Sequence, residues 1–283
     1  MFIFVLLAAD KAAAAPITFN TALPISKGEI IFREQLIYGR AKEGGREMTR
    51  LTFLSVAAYG VTPDLALFAV LPVLRNKLSM PGLERQATGL GDMRLFSRYT
   101  IYRRDFRGGT FRFAPFAGLE LPTGEHQERD ERGLLPPALQ AGSGSWDIVF
   151  GLIGTYATVD FNLDAQVSWQ ENRKAGGIET GDVFRTDVSV QYRLYPQEIG
   201  DGEITGFLYG VLEASLVHEG KNRTANLPDP NSGGTKLFIS PGLQYAATRC
   251  IAEATVQLPV LQNLNGANLK QDYVLRAGFR INF

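Results

Sequence analysis

The sequence contains one cysteine, Cys250, and two histidines, His126 and His218. A single thiol excludes an intrachain disulfide and any cysteine-based metal cluster, and so few cysteines suit an oxidising compartment. No uncharged apolar run beyond the first residues approaches the roughly 18 that a spanning helix needs, so any membrane role falls to strands. Neither sign of charge is in excess: 29 basic side chains meet 29 acidic ones. That balance gives no signal for nucleic acid or for an acidic substrate. A linker-like break is also missing, because turn signals recur at short spacing from Gly28 onward and the 283 residues read as one domain.

The chain is rich in glycine (30 residues) and in aromatics (11%). Its first nine residues are apolar apart from their terminus. Lys11 and the run Ala12 to Ala15 follow, in the manner of a signal peptide's apolar region and small-residue cleavage site. The basic segment that normally opens such a signal is missing, which places the start inside a longer signal; the alternative is an apolar N-terminal strand. The expected division is a signal peptide over 1–15, a periplasmic segment over 16–27 and a membrane barrel over 28–283.

Period-two alternation dominates the rest. Phe161, Leu163, Ala165, Val167 and Trp169 share one face, with Asn162, Asp164, Gln166, Ser168 and Gln170 on the other. The same pattern sets Phe184 to Leu194 against Arg185 to Arg193, and Tyr273 to Phe283 against Val274 to Asn282. Weaker forms predict strands near 29–41, 48–60, 65–74, 92–103, 111–122, 146–157, 204–218, 236–245 and 250–261. The result is an all-β, antiparallel, up-and-down transmembrane barrel of about twelve strands. Short turns should face the periplasm. Longer polar segments (Asn76 to Gly91, Glu125 to Ser145, Glu171 to Asp182 and Glu219 to Thr235) should lie outside the cell. The first strand is the weakest, since Arg33 and Glu34 are neighbours and one of them must point outward.

Aromatic residues give a second test, because they gather where lipid-facing surface meets headgroups. Tyr59, Tyr99, Tyr156, Tyr192, Tyr245 and Phe283 are outward at the periplasmic ends of alternate strands, and Trp146 and Trp169 are outward at the opposite ends. A soluble all-β domain would alternate too, but gives no reason for such girdles.

The order and spacing of Gly89-Leu-Gly-Asp92, Gly118-Leu-Glu-Leu-Pro-Thr-Gly124, Gly142-Ser-Gly-Ser-Trp-Asp147 and the terminal Tyr273 to Phe283 strand resemble the outer-membrane transporter family named after the MetA-pathway of phenol degradation. The resemblance implies passage of small, often aromatic or apolar compounds across the bacterial outer membrane, and implies no site residues. The closing Phe283 also resembles the C-terminal signal read by the barrel-insertion machinery, which makes that machinery a transient partner alongside lipid and lipopolysaccharide.

The expected lumen lining comprises Arg50, Asp92, Arg94, Arg98, Arg112, Glu120, Asp164, Arg185, Asp187, Arg193, Glu253, Arg276 and Arg280. Either these form a ladder of wall-stiffening ion pairs or they select the solute. On the lipid face near the bilayer midplane each arginine would cost roughly 2–4 kcal/mol. Pro72, Pro122 and Pro259 point inward near the outer ends of their strands. Lacking an amide donor, each ends a strand or opens a lateral gap. The sequence therefore predicts a passive channel for a small solute, with no cofactor, metal, catalysis or nucleic-acid partner. The rivals are a phospholipase-like hydrolase, for which neither histidine has an identifiable serine partner, and a barrel acting only as a receptor or scaffold.

Overall fold

The computed structural model describes residues 14–197 and 206–283. Twelve antiparallel strands form the wall. They are β1 (Ile30–Glu43), β2 (Arg46–Gly60), β3 (Leu65–Met80), β4 in three segments (Leu83–Leu90, Met93–Tyr99 and Tyr102–Phe106), β5 (Gly109–Leu121) and β6 (Asp147–Thr158). The remainder are β7 (Phe161–Glu171), β8 (Val183–Tyr195), β9 (Gly206–Glu219), β10 (Gly234–Ala247), β11 (Cys250–Leu264) and β12 (Lys270–Asn282). Each pairs with its sequence neighbours, and β12 pairs back onto β1 from Ile31↔Asn282 to Lys42↔Lys270, so the sheet closes without an edge. Closure is what lets strands cross a bilayer, because no strand is then left with an unpaired edge.

Side chains divide cleanly by phase. Outward positions carry apolar residues that stay exposed, such as Phe53, Leu67, Phe150, Leu163, Leu212, Leu243 and Leu275. Inward positions carry the buried polar set, including Asn162, Asp164, Asp187, Ser189, Gln191 and Glu213. A soluble sandwich would show the reverse. Tyr59, Tyr99, Trp146, Tyr156, Trp169, Tyr192, Tyr245 and Phe283 are all exposed on the outer surface, toward the ends of their strands. The protein is an outer-membrane β-barrel. Arg33 points inward and Glu34 outward, where its carboxylate accepts a hydrogen bond from Ser55 Oγ at 3.0 Å and the residue as a whole is only 7% exposed.

Several connections differ from expectation. The segment from Asn76 to Gly91 is not a loop: β3 runs to Met80, turns at Pro81-Gly82 and returns as Leu83–Leu90, a hairpin with Leu78↔Arg85 and Met80↔Leu83 in register. Its polar residues alternate along a projecting ribbon, a pattern equally compatible with a loop. Likewise the expected turn from Arg104 to Gly109 is mostly strand, Tyr102–Phe106 pairing with β5. The longest connection, between β5 and β6, folds back over the mouth and carries a short 3-10 turn, Pro137–Leu139.

Candidate functional site

The lumen is not empty. Residues 14–25, of which 16 onward were expected in the periplasm, cross the barrel interior as a segment bonded to the wall at many points. Ile25 packs on Ala58 and Phe68, and Ala22 on Ala114 and Ile153. Arg98 donates to Asn20 Oδ1 at 3.2 Å, to Leu23 O at 2.5 Å and to Thr21 O. Further along, Ala22 N donates to Thr155 Oγ1 (2.8 Å), Ile17 N to Glu213 Oε1 (2.8 Å) and Ala15 N to Gln244 Oε1 (3.0 Å). A segment that forms no sheet must satisfy its amides on side chains, and the buried polar lumen supplies them. Gly60 admits the segment at the periplasmic rim: a Cβ there would lie 2.0 Å from Ser26 O. The expected signal segment lies mostly outside the described residues; Ala14 and Ala15, its last two, are buried.

Around this segment some interior charges pair and others bond neutral groups. Arg33 meets Glu253 at 2.6 Å and also donates to Ile17 O. Arg94 pairs with Glu120, and Arg185 with Asp187 at 2.8 Å. Asp164 is fully buried, accepting from Thr155 and Thr21 hydroxyls. Arg112 lies 3.5 Å from Asp105, and Arg193 pairs with Asp160 near the periplasmic end. Arg276 donates to Gln257 Oε1 at 3.0 Å, and Arg50 to Asn76 Oδ1 at 2.8 Å. Arg280 lines the same cavity as Arg33, Arg98 and Arg276.

The charges do not encircle the lumen. The inward positions of β3, namely Ala66, Phe68, Val70, Pro72, Leu74, Asn76, Leu78 and Met80, are apolar except for Asn76. Leu54, Val56 and Ala58 of β2 and Phe96 of β4 extend this stripe, with Phe68 and Phe96 stacked at 4.5 Å. Cavities lie at both ends. One of about 270 Å³ is bounded by the N-terminal segment, the stripe and the arginines. Another of about 430 Å³ lies under the extracellular loops against Met48, Leu78, Met80 and Leu139. It adjoins a third, of about 350 Å³, lined by Arg50, Lys236 and Val274.

Comparison with known proteins agrees with this architecture. The sequence profile of the MetA-pathway of phenol degradation family matches residues 46–256. The chain belongs to this family. No curated protein matches the sequence. Among solved structures, the chain is similar to the COG4313 outer membrane channel from Pseudomonas putida F1, with TM-score 0.70 at 13% identity, over 96% of this chain and 100% of that one. It is also similar to the β domain of the Bordetella autotransporter BrkA, with TM-score 0.52 at 10% identity, over 91% and 100% of the two chains. At these identities the likeness concerns the fold.

The glycine motifs of this phenol-degradation family member form one structural node. Asp92 accepts from Gly124 N at 2.8 Å and from the Ser143 hydroxyl at 2.8 Å, joining β4, the end of β5 and the loop before β6. A Cβ at Gly124 would lie 2.8 Å from Gly142 Cα and 2.7 Å from the carbonyl carbon of Gly91. Asp92 therefore holds the inturned loop rather than facing a solute.

The three prolines separate. Pro122 follows the last residue of β5. Pro72 lies opposite the Gly91-Asp92 interruption of β4, with its carbonyl accepting from Gly91 N. Pro259 sits at a register shift between β10 and β11. Beyond Gln257↔Val274 the ladder between β11 and β12 stops. There Gln262 bridges the seam by side chain, to Gln271 O at 2.9 Å and from Gln271 N at 2.8 Å. His126 Nδ1 contacts Gly124 O and His218 Nδ1 contacts Thr235 Oγ1; neither is bonded to a serine.

Proposed function

We propose that the protein is a passive outer-membrane channel for small aromatic or apolar solutes, closed on the periplasmic side by its own N-terminal segment. The observation that carries this reading is the apolar stripe of β3, which runs from Phe68 beside the N-terminal segment to Leu78 and Met80 at the outer cavity. A wall built only for stiffness has no need to line one side of a wet lumen with apolar groups, whereas an apolar solute moving along such a stripe keeps its contacts at each step. Arg50, Arg94, Arg98, Arg185, Arg276 and Arg280 line the hydrated remainder, Arg94 and Arg185 paired with Glu120 and Asp187. The solute leaves either past the N-terminal segment or sideways through the seam at Pro259, where the backbone ladder is already broken.

The hydrolase reading has no supporting geometry, since both histidines lie at strand ends or in loops and bond to a carbonyl or a threonine. Proteoliposomes containing the full chain should take up radiolabelled toluene faster than protein-free vesicles. Equal rates in the two preparations, with the barrel correctly assembled, would leave the receptor or scaffold reading in its place.

A further inference from the structure

The cavity between the N-terminal segment and the wall has an unusual composition. Its described lining includes five arginines (Arg33, Arg94, Arg98, Arg276 and Arg280) and no aspartate or glutamate. Facing them is an apolar wall of Leu54, Val56, Phe68, Val70 and Phe96. Among the described residues, Arg33 pairs with the Glu253 carboxylate and Arg94 with that of Glu120. Arg98 and Arg276 pair with none of them. Arg98 bonds the neutral oxygens of Asn20, Thr21 and Leu23, and Arg276 bonds the amide oxygen of Gln257. A guanidinium keeps its charge under all ordinary conditions, so among the described residues Arg98 and Arg276 carry positive charge with no carboxylate at ion-pair distance, Asp164 acting on the first and Glu213 and Glu253 on the second only from farther away.

We infer that the cavity is a seat for a small amphipathic anion, an aromatic or alkyl carboxylate, with its apolar body on β2 to β4 and its carboxylate toward the arginine side, where Arg98 and Arg276 stand. A neutral hydrocarbon would leave these cations without an anion in direct contact, and a bare inorganic anion would leave the apolar wall wet. A carboxylate is also a stronger acceptor for a guanidinium than a peptide carbonyl, because both partners are then ionised. The bound carboxylate thus competes with Thr21 O and Leu23 O for Arg98, and the solute loosens the segment that closes its own path. The inference deepens the transport reading by naming a substrate class, and rests on it for the consequence of binding.

Equilibrium dialysis of the detergent-solubilised full chain against radiolabelled benzoate tests the seat, with toluene and acetate as competitors. Saturable binding of one benzoate per barrel is expected, displaced far less well by acetate or toluene than by unlabelled benzoate. Arg276→Gln should weaken benzoate binding about tenfold or more, as expected for loss of a hydrogen bond to a charged group. Val70→Thr, which roughly keeps the volume but wets the apolar wall, should weaken it too, with heat-modifiable gel migration confirming that each variant is folded. Unchanged affinity in folded Arg276→Gln, displacement by acetate as strong as by benzoate, or no saturable binding would overturn the seat. Uptake into proteoliposomes separates the two readings. Toluene uptake without benzoate binding removes the seat alone, while benzoate binding without uptake of either solute removes the transport reading alone.

Discussion

Arg98 clamps the N-terminal segment, and its removal gives the sharpest test of the closed state. Its guanidinium reaches three oxygens of the segment, on Asn20, Thr21 and Leu23, while lying 5.2 Å above the Phe68 ring. Arg98→Met keeps most of the stem's packing and deletes those bonds. Hydrogen bonds to a charged group contribute about 1.5–3 kcal/mol each. Even if water recovers half of the total, about 3 kcal/mol is lost, more than a hundredfold in the docking equilibrium at about 1.4 kcal/mol per factor of ten. That loss is large against the small net stability of docking, because ordering each residue of the segment costs about 1–2 kcal/mol. Hydrogen exchange reads the change directly. The amides of Ala15, Ile17 and Ala22 are held by Gln244, Glu213 and Thr155, and should exchange about a hundredfold faster in the variant while wall amides such as those of β7 stay protected. Single-channel conductance in planar bilayers should rise in parallel. Wild-type exchange at all three amides, with unchanged conductance, would refute the clamp and with it the view that this segment closes the lumen.

Other consequences are open to direct measurement. Gly60→Val places side-chain atoms where Ser26 O and Ile25 O now lie; it should displace the segment and raise conductance without loss of barrel assembly. Cysteines at Gln262 and Gln271, oxidised across the seam that the glutamine now bridges, should block aromatic uptake while leaving ion conductance in place if the sideways route operates; unchanged aromatic uptake leaves the lumen as the path. The ion pair of Arg85 with Asp130, at 2.7 Å, pins the inturned loop to the outer hairpin and holds the Asp130 carboxyl below the ordinary aspartate range. A depressed carboxyl stabilises above its unfolded pKa of about 3.9 and loses that effect as pH falls through the folded value. A spin label at position 133 should therefore become mobile as pH drops below about 4, and Arg85→Gln should show that mobility already at neutral pH. Native Cys250, exposed at the first residue of β11, should resist an impermeant maleimide on intact cells, whereas Gly133→Cys should react; the opposite result would invert the barrel.

The wall was legible because lipid and lumen impose opposite chemistries on alternate residues. In β7 and β8 every second side chain is polar, and an apolar-out, charged-in strand has no other stable setting in a bilayer. The outer hairpin was not legible: beyond Leu74 the alternation of Arg75, Asn76, Lys77 and Leu78 has polar residues on both faces, as a ribbon standing clear of the bilayer can. The N-terminal segment was missed for a different reason. Ile17, Phe19 and Ile25 carry a weak apolar alternation, but the partners that decide their position are side chains up to 229 residues away, such as Gln244 for Ala15.

The apolar stripe shows why the site itself was harder to read than the fold. A strand with one wet face alternates, so the failure of alternation in Leu65-Ala-Leu-Phe-Ala-Val-Leu-Pro-Val-Leu74 was the available signal that its inner face is dry. Under period two alone that run looks only like a poorer strand, because the pattern reports the difference between two faces and goes silent when both are apolar. In β3 one face meets lipid and the other meets the cavities and Ile25 of the N-terminal segment. Sequence phase alone also could not separate Arg98 and Arg276 from ordinary lumen residues, and only the closed barrel shows that the oxygens bonded to them are neutral. Alternation thus marks a barrel most clearly where its lumen is polar and loses contrast where an apolar solute would travel.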